Sequence, residues 1–210
     1  MNKNKIILGG TITNFPTFSH EGFKEKFYRF ELCTTRKSDT HDKLICMAPE
    51  SLISSDIVPG ATLKVVGSVR TRDIDGTDGK RHLYIFVFVT EMLPYDGDKN
   101  VVKLDGYICK PPVYRETPRG RQITDVLLAV NRAYGKSDYI PCICWGSNAK
   151  RVADMEVSNH VHVKGRLQSR EYTKRYEDGS EEVKVAYELS VSSIEEIDKI
   201  LEEREEYEHE

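Results

Sequence analysis

The stretch LKVVGSVRTRD at residues 63–73 decides the fold, because VHVKGRLQSRE at residues 161–171 repeats it 98 positions later. Earlier segments repeat with a shift of 96: LGGTI at 8–12 matches LDGYI at 104–108, and FELCTTRKSDTHDKLIC at 30–46 matches VLLAVNRAYGKSDYIPC at 126–142. Self-similarity at a fixed period indicates that one structural plan is used twice. We therefore interpret the chain as a tandem repeat of two related units.

Each unit consists of short strand-like runs separated by Gly, Pro and Asp turn signals. Both contain an Asp-Gly turn after the repeated strand and then a long apolar run, LYIFVFVTEM or VKVAYELSVSSI. A short helix is predicted at SNAKRVADM, residues 147–155, between the third and fourth strands of the second unit. Five strands with a helix at this place are typical of the OB-fold, a small Greek-key barrel.

We therefore predict an all-β fold of two tandem OB-folds, each a five-stranded barrel with a short helix. The expected domains are 1–97 and 98–194, joined near LPYDGDKN at residues 93–100, which is rich in turn-forming residues. Residues 195–210 hold nine acidic and two basic side chains. The spacing of Ile194, Ile197 and Leu201 favours a short C-terminal helix, followed by a solvated acidic tail that serves solubility or a partner.

Composition bounds the cellular setting. Hydrophobic residues make up 39% of the chain and charged residues 31%, which is typical of a soluble globular protein. Apolar runs such as YIFVFV are too short to cross a bilayer, and the N-terminus lacks the apolar stretch of a secretory signal. With five cysteines and no dense spacing, reduced thiols are expected. These features predict a cytoplasmic protein without membrane contact.

The net charge of −3 conceals an uneven distribution of charged residues along the chain. Residues 98–175 contain 15 basic and 8 acidic side chains, whereas the excess of acid lies in the last 16 residues. A local basic surplus of this kind attracts a polyanion.

The strand that begins at His160 separates into two faces, since alternate residues of a strand point to opposite sides. Val161, Val163, Gly165 and Leu167 are small or apolar and suit the barrel core. The opposite face is polar, cationic or aromatic and carries no acid; it comprises His160, His162, Lys164, Arg166, Gln168, Arg170 and Tyr172. An ordinary solvated face is the alternative interpretation.

The segment YIPCICW, residues 139–145, divides in the same way. Ile140, Cys142 and Cys144 share the face predicted to be core, which sends Tyr139 and Trp145 outward together. Bases stack on exposed rings while phosphates meet Arg, so this surface suits single-stranded nucleic acid. Burial of both rings in the core is the alternative.

Metal binding and catalysis receive less support. Cys142 and Cys144 with His160 and His162 include the usual zinc-ligand types, but the parity rule places the cysteines and the histidines on different faces. No HExxH, P-loop or GxSxG motif is present, and carboxylates cluster only in the tail. We expect no metal, no cofactor and no enzymatic activity; a nuclease on an OB barrel and an RNA chaperone are the alternatives.

VNRAYGKSDYIPCICWGSNAK at 130–150, together with VHVKGRLQSREY at 161–172, resembles the bacterial single-stranded DNA-binding protein family. The resemblance is specific over residues 102–194 and only architectural over 1–97. It implies stacking aromatics at Tyr134, Tyr139, Trp145 and Tyr172. It also implies basic contacts from Arg132, Arg166 and Arg170, and from the first hairpin through Lys110, Arg115, Arg119 and Arg121.

The first unit departs from that pattern. At the positions equivalent to the four aromatics it has Ser38, Lys43, Pro49 and Ile74. Its Arg70 and Arg72 align with Gln168 and Arg170, so we expect it to contribute charge without stacking. The chain ends in EYEHE, whereas the family's acidic tail closes with a Pro and an aromatic that dock partners.

The resemblance implies sequence-independent binding of single-stranded DNA in replication, recombination and repair, in the nucleoid. It further implies a homodimer that presents four OB-folds, with replication or repair proteins as further partners. The alternative hypothesis is an OB-fold protein-interaction module, such as a primosomal assembly factor, that binds nucleic acid weakly.

Overall fold

A computed structural model describes residues 4–22, 24–76, 79–176 and 178–197 of the 210-residue chain. The predicted C-terminal helix and acidic tail lie outside these residues from position 198 onward, while Glu195 and Glu196 belong to the last strand.

The first half of the chain folds into six strands. They are β1 (Asn4–Ile12), β2 (Thr17–Gly22), β3 (Glu25–Thr35), β4 (His41–Pro49), β5 (Thr62–Asp75) and β6 (Arg81–Pro94). A single 3₁₀ turn, Glu50–Leu52, lies between β4 and β5. The expected helix of the first unit is therefore reduced to this turn.

The second half repeats the order. Its strands are β7 (Lys99–Ile108), β8 (Val113–Glu116), β9 (Gln122–Asn131), β10 (Ser137–Trp145), β11 (His160–Arg175) and β12 (Glu181–Glu196). Helix α1 (Ser147–Ala153) connects β10 to β11, which confirms the helix predicted there. A 3₁₀ turn, Ala133–Gly135, joins β9 to β10.

Each half closes into a five-stranded barrel. In the first, the strands pair in the order β3-β4-β6-β5-β1, and β1 returns to pair with β3. In the second, β9-β10-β12-β11-β7 closes through β7 and β9. The parallel pairs β4–β6 and β10–β12 give each barrel its Greek-key connection. The short strands β2 and β8 extend β3 and β9 at the outer edges, beyond the five strands predicted.

The barrels are joined through β1 and β7, which pair antiparallel with Ile6 opposite Val102. The same pair of side-chain hydrogen bonds occurs inside each half, between its first strand and its repeated strand. Asn4 exchanges two hydrogen bonds with the backbone of Val69, at 2.8 and 2.9 Å. Asn100, 96 positions later, does the same with Leu167 at 2.6 and 3.0 Å. One hydrophobic core cluster runs through both halves.

Gly67 and Gly165 occupy the same place in the repeated strand, beside a β-bulge in β5 and in β11. A Cβ on Gly67 would lie 2.1 Å from the carbonyl oxygen of Phe88, and one on Gly165 would lie 2.3 Å from that of Ser190. These glycines let β5 and β11 bend against β6 and β12, which barrel closure requires.

Candidate nucleic-acid interface

Strand β10 presents its two aromatic residues outward. Tyr139 is 48% exposed and Trp145 is 37% exposed, whereas Ile140, Cys142 and Cys144 are buried in the barrel core. The two-face interpretation of this strand is thus confirmed. Because a strand rises about 3.3 Å per residue, Tyr139 and Trp145 lie roughly 20 Å apart along β10.

The surface around Trp145 is a cleft of about 680 Å³ at the second barrel. Strands β9, β10 and β12 contribute its apolar wall through Ile123, Ile143 and Val191. Its cationic side chains are five arginines, Arg36, Arg115, Arg121, Arg166 and Arg170. An exposed indole beside several guanidinium groups suits a ligand that carries both flat rings and negative charge.

The carboxylates at this cleft already accept hydrogen bonds, and one of them, Glu188, lines the cleft. Asp42 accepts hydrogen bonds from Arg36, Asp125 accepts from Arg115 Nε at 2.6 Å, and Glu188 accepts from Gln168 Nε2 at 2.7 Å. Among the described residues, no acid forms an ion pair with Arg121 or Arg170. The cleft therefore keeps a positive surplus for a ligand.

Arg166 is only partly satisfied within the protein. Burial lowers the pKa of its guanidinium, and the positive charge of Arg36 acts in the same direction. Its Nε is buried and has no hydrogen-bond partner, and its Nη2 reaches only Gln168 Oε1 at 3.3 Å. A bound phosphate would supply the acceptor that this side chain lacks.

Gln168 is on the predicted outward face of β11 but is only 6% exposed. It lines the cleft from below, where it holds Glu188 in place. Alternation along a strand gives the direction of a side chain, but it cannot show what covers that face. Arg36 of the first half lines this same cleft, which no local pattern in β11 predicts.

Two predicted contacts, Arg70 and Arg132, lie at the junction of the barrels instead of this cleft. Arg70 donates to the buried Asp138 at 2.8 Å, and Arg132 Nη1 is 3.6 Å from the same carboxylate. Both side chains keep some exposure, at 25% and 31%. Their charge is thus partly used in joining the two halves.

The remaining predicted residues are exposed. Tyr134 is 97% exposed on the 3₁₀ turn after β9, and Tyr172 is 39% exposed near the β11–β12 turn, with the Arg170 guanidinium 5.9 Å from its ring centre. Lys110 and Arg119 are exposed on either side of β8. Arg72 is exposed on β5 of the first half.

Sequence reasoning missed part of the surface on the first half. Tyr84, Phe86 and Phe88 alternate along β6 with the core residues Ile85, Val87 and Val89, so their rings lie outside the barrel. The same two-face rule, applied to LYIFVFV, would have found them. Arg36 was also missed, and only its contact across the two halves reveals it.

The cysteines and histidines do not form a shared site. Within the described ranges, no group of three or more His, Cys, Asp or Glu side chains could hold a metal ion. Burial raises the pKa of the Cys144 thiol to about 12 and raises that of Cys142 as well, which keeps both protonated at neutral pH. His162 instead pairs with the buried Asp105. None of the described helices is long and apolar enough to span a membrane.

Comparison with known proteins points to one family. Residues 99–197 match the model of the single-strand binding protein family. A single-stranded DNA-binding protein of Bacillus cereus is 38% identical over 80 residues, which are 35% of this chain and 47% of that protein. Single-stranded DNA-binding protein A of Bacillus subtilis is 36% identical over 80 residues, 35% of this chain and 46% of its own. The chain spans about half the length of these curated relatives.

The fold of the chain also resembles a solved structure along nearly its full length. The wild-type single-stranded DNA binding protein from Thermus aquaticus superimposes with a TM-score of 0.72 and covers 93% of each chain at 18% identity. This agreement extends over both halves, so the tandem OB-fold architecture is confirmed.

Proposed function

We propose that this chain, which resembles the bacterial single-stranded DNA-binding protein family in its tandem OB-fold form, binds single-stranded DNA without sequence preference. Its role would be to cover and protect single strands during replication, recombination and repair. The observation that carries the proposal is the exposed Trp145 in a cleft lined by five arginines. The names of the Bacillus relatives support the same ligand.

Base stacking would supply the non-ionic part of the affinity. Trp145, Tyr139, Tyr134 and Tyr172 all expose ring surface on the second half. Stacking on an aromatic ring is worth about 1–3 kcal/mol per base and works with every base. A site built on these rings therefore binds without reading sequence.

Phosphate contacts would supply the ionic part. Arg121, Arg166 and Arg170 lack a carboxylate partner among the described residues, and Lys110 and Arg119 extend the basic surface past β8. Each phosphate neutralised on a single strand adds about 0.7 to the magnitude of the negative log–log salt slope of binding. Binding should accordingly weaken as salt rises.

The proposal extends to organisation. Residues 1–97 and 98–194 act as two OB-fold domains, with 195–210 as an acidic tail, and two chains form a homodimer with four OB-folds. The protein works in the cytoplasm at the nucleoid, where replication or repair proteins are further partners. It binds without a cofactor and performs no catalysis, so labelled DNA should stay intact when it is incubated with the protein and Mg²⁺.

A titration with a thymidine homopolymer tests the proposal directly, since the chain has one tryptophan. We expect DNA to quench Trp145 fluorescence at low salt and less DNA to be bound at high salt. Trp145→Ala should weaken binding by about 1–3 kcal/mol, measured by anisotropy of labelled DNA, while Trp145→Phe should retain most of it.

Unquenched fluorescence at both salt concentrations would contradict DNA binding at this surface. Negligible affinity at physiological salt together with a stable co-purifying protein would instead favour the protein-interaction module. Loss of folding in Trp145→Ala would identify the ring as structural, and urea unfolding of each variant checks this.

A further inference from the structure

The outer surface of the first barrel carries an apolar cluster that is separate from the core. Phe27, Met47 and Phe86 are 8%, 2% and 9% exposed and pack together on the side of the sheet away from the barrel interior. Ile45, Tyr84 and Phe88 pack against them while remaining partly exposed. The partly exposed members of this cluster therefore offer apolar and aromatic surface on the outside of the barrel.

This cluster forms the floor of a cleft of about 950 Å³ at the junction of the two halves. Met47, Phe86 and Phe88 line it from the first half. Its rim is cationic and comes from both halves: Arg70, Arg72, Arg132 and Lys136. The lining residues include no carboxylate.

The rings in this cleft are arranged for contact with flat, negatively charged ligands. The Arg72 guanidinium lies 5.1 Å from the ring centre of Tyr84 and 6.0 Å from that of Phe86. Phe88 lies against Phe27, with ring centres 5.9 Å apart, and its remaining surface faces the cleft. A cation over one ring beside an open second ring matches a base with its adjoining phosphate.

Tyr134 contributes from the second half at the edge of the same cleft. It adopts a left-handed backbone conformation, with φ of 63°, and its side chain is 97% exposed. Non-glycine residues rarely adopt this conformation, and such strain concentrates at functional positions. The turn therefore presents a ring to solvent next to the apolar floor.

The approximate repeat provides an internal comparison. The equivalent cleft, in which the two halves exchange places, lies where the β3–β4 hairpin of the first half meets β11. Its volume is about 640 Å³. That cleft is lined by Glu31 and Glu171 as well as by cations, and Tyr187 is its aromatic residue. Of these two clefts, the one next to Phe88 is the one that combines an apolar aromatic floor with lining residues that include no acid.

We propose that the Phe86–Phe88 cleft is a second base-binding site, so that the first half stacks bases as well as contributing charge. The stacking rings lie on different strands in the two halves: on β10 in the second half and on β6 in the first. The occupant is a further segment of the same single strand that contacts Trp145. This inference rests on the proposed function, because it extends that ligand across the junction.

Two single-tryptophan proteins test the two sites separately. The natural chain reports on the second half through Trp145. Phe88→Trp in a Trp145→Phe background reports on the first-half cleft alone. We expect a long thymidine homopolymer to quench the tryptophan fluorescence of both proteins. In each protein, the DNA concentration at half-maximal quenching should match that protein's own affinity for the homopolymer.

A matched control places the reporter elsewhere on the same strand. Leu93→Trp in the Trp145→Phe background puts an indole five residues further along β6, at an exposed position that does not line the cleft. We expect little quenching there. Equal quenching of the Leu93 and Phe88 reporters would overturn the proposal, since it would indicate contact without a defined site.

The outcomes distinguish this inference from the function on which it rests. Quenching of Trp145 without quenching of the Phe88→Trp reporter would overturn the second site and leave the first intact. No quenching of either would remove both.

Should Phe88→Trp fail to fold, Arg72→Ala gives a second measurement, because Arg72 is exposed at the rim. With Trp145 as the reporter, Arg72→Ala and Phe88→Leu should each weaken binding of a long homopolymer, and Phe88→Ala should weaken it by about 5- to 150-fold. Unchanged affinity in all three folded variants would overturn the proposal.

Discussion

Asp42 and Asp138 occupy equivalent positions in the two halves, and each accepts a backbone hydrogen bond from the other half. Ser169 donates its amide to Asp42 at 2.9 Å, and Thr71 donates its amide to Asp138 at 2.8 Å. Both carboxylates are fully buried. Their charges are balanced differently: Asp42 pairs with Arg36 of its own half, whereas Asp138 pairs with Arg70 of the opposite half at 2.8 Å and also lies 3.6 Å from Arg132 of its own half.

Asp138→Ala should destabilise the protein by about 2–4 kcal/mol, because it leaves the Thr71 amide and the partly buried Arg70 without an acceptor. Urea unfolding measures the change. Asp125→Ala is the matched control, since Asp125 pairs with Arg115 at a side-chain exposure of 42% and such pairs contribute about 0–1 kcal/mol. Equal losses in the two variants would show that the junction contact is not a special source of stability.

Gly67→Ala should destabilise by about 1–3 kcal/mol, because its Cβ would lie 2.1 Å from the Phe88 carbonyl oxygen and the strands would have to separate. The thermal midpoint and the urea midpoint should both fall. Gly22→Ala is the matched control on β2, where the nearest atom to the new Cβ is 3.8 Å away. A native-like Gly67→Ala protein would contradict the close approach.

Internal repetition made the barrels predictable from the sequence. Two aligned copies predicted five strands per half and the place of α1 along the chain, and alternation along β10 separated Cys142 and Cys144 from Trp145 correctly. The same rule could have identified Phe86 and Phe88. They were missed because the first half was compared only at positions equivalent to the second half's aromatics, and these rings lie on a different strand.

Contacts between the halves were beyond prediction from the sequence. Asp138 meets Arg70 across 68 residues, and Asp42 meets the Ser169 amide across 127. The two-face pattern of β10 puts Asp138 on the same side as Ile140, but it does not show that the carboxylate meets Arg70 and the Thr71 amide of the opposite barrel. Gln168 was placed on the surface because alternation along β11 does not show what covers that face.

Alkaline pH should destabilise the fold through its buried thiols. Burial raises the pKa of Cys144 from 9.0 to about 12, so the folded thiol keeps its proton where the unfolded one has lost it. The unfolded state then binds fewer protons, and the free energy of unfolding falls as pH rises from about 9 to about 12. At neutral pH both states are protonated and no effect is expected.

Urea midpoints at several pH values measure this dependence. Cys144→Ala should reduce the slope by up to about 1.4 kcal/mol per pH unit above pH 9, the contribution of one titrating group. An unchanged slope would contradict the assignment of the proton to this thiol.

Salt dependence should separate the arginines that contact phosphate from cations elsewhere. Arg121 and Arg170 line the Trp145 cleft, and neither has an acidic partner among the described residues. Arg121→Ala and Arg170→Ala should each reduce the magnitude of the negative log–log salt slope of DNA binding by about 0.7. This is the value for one phosphate on a single strand. Lys103→Ala is the control, because Lys103 is exposed on β7 and lines neither the Trp145 cleft nor the Phe88 cleft. Its slope should equal that of the natural protein. Equal reductions in all three variants would mean that the strand is held by net charge and that the cleft does not define its path.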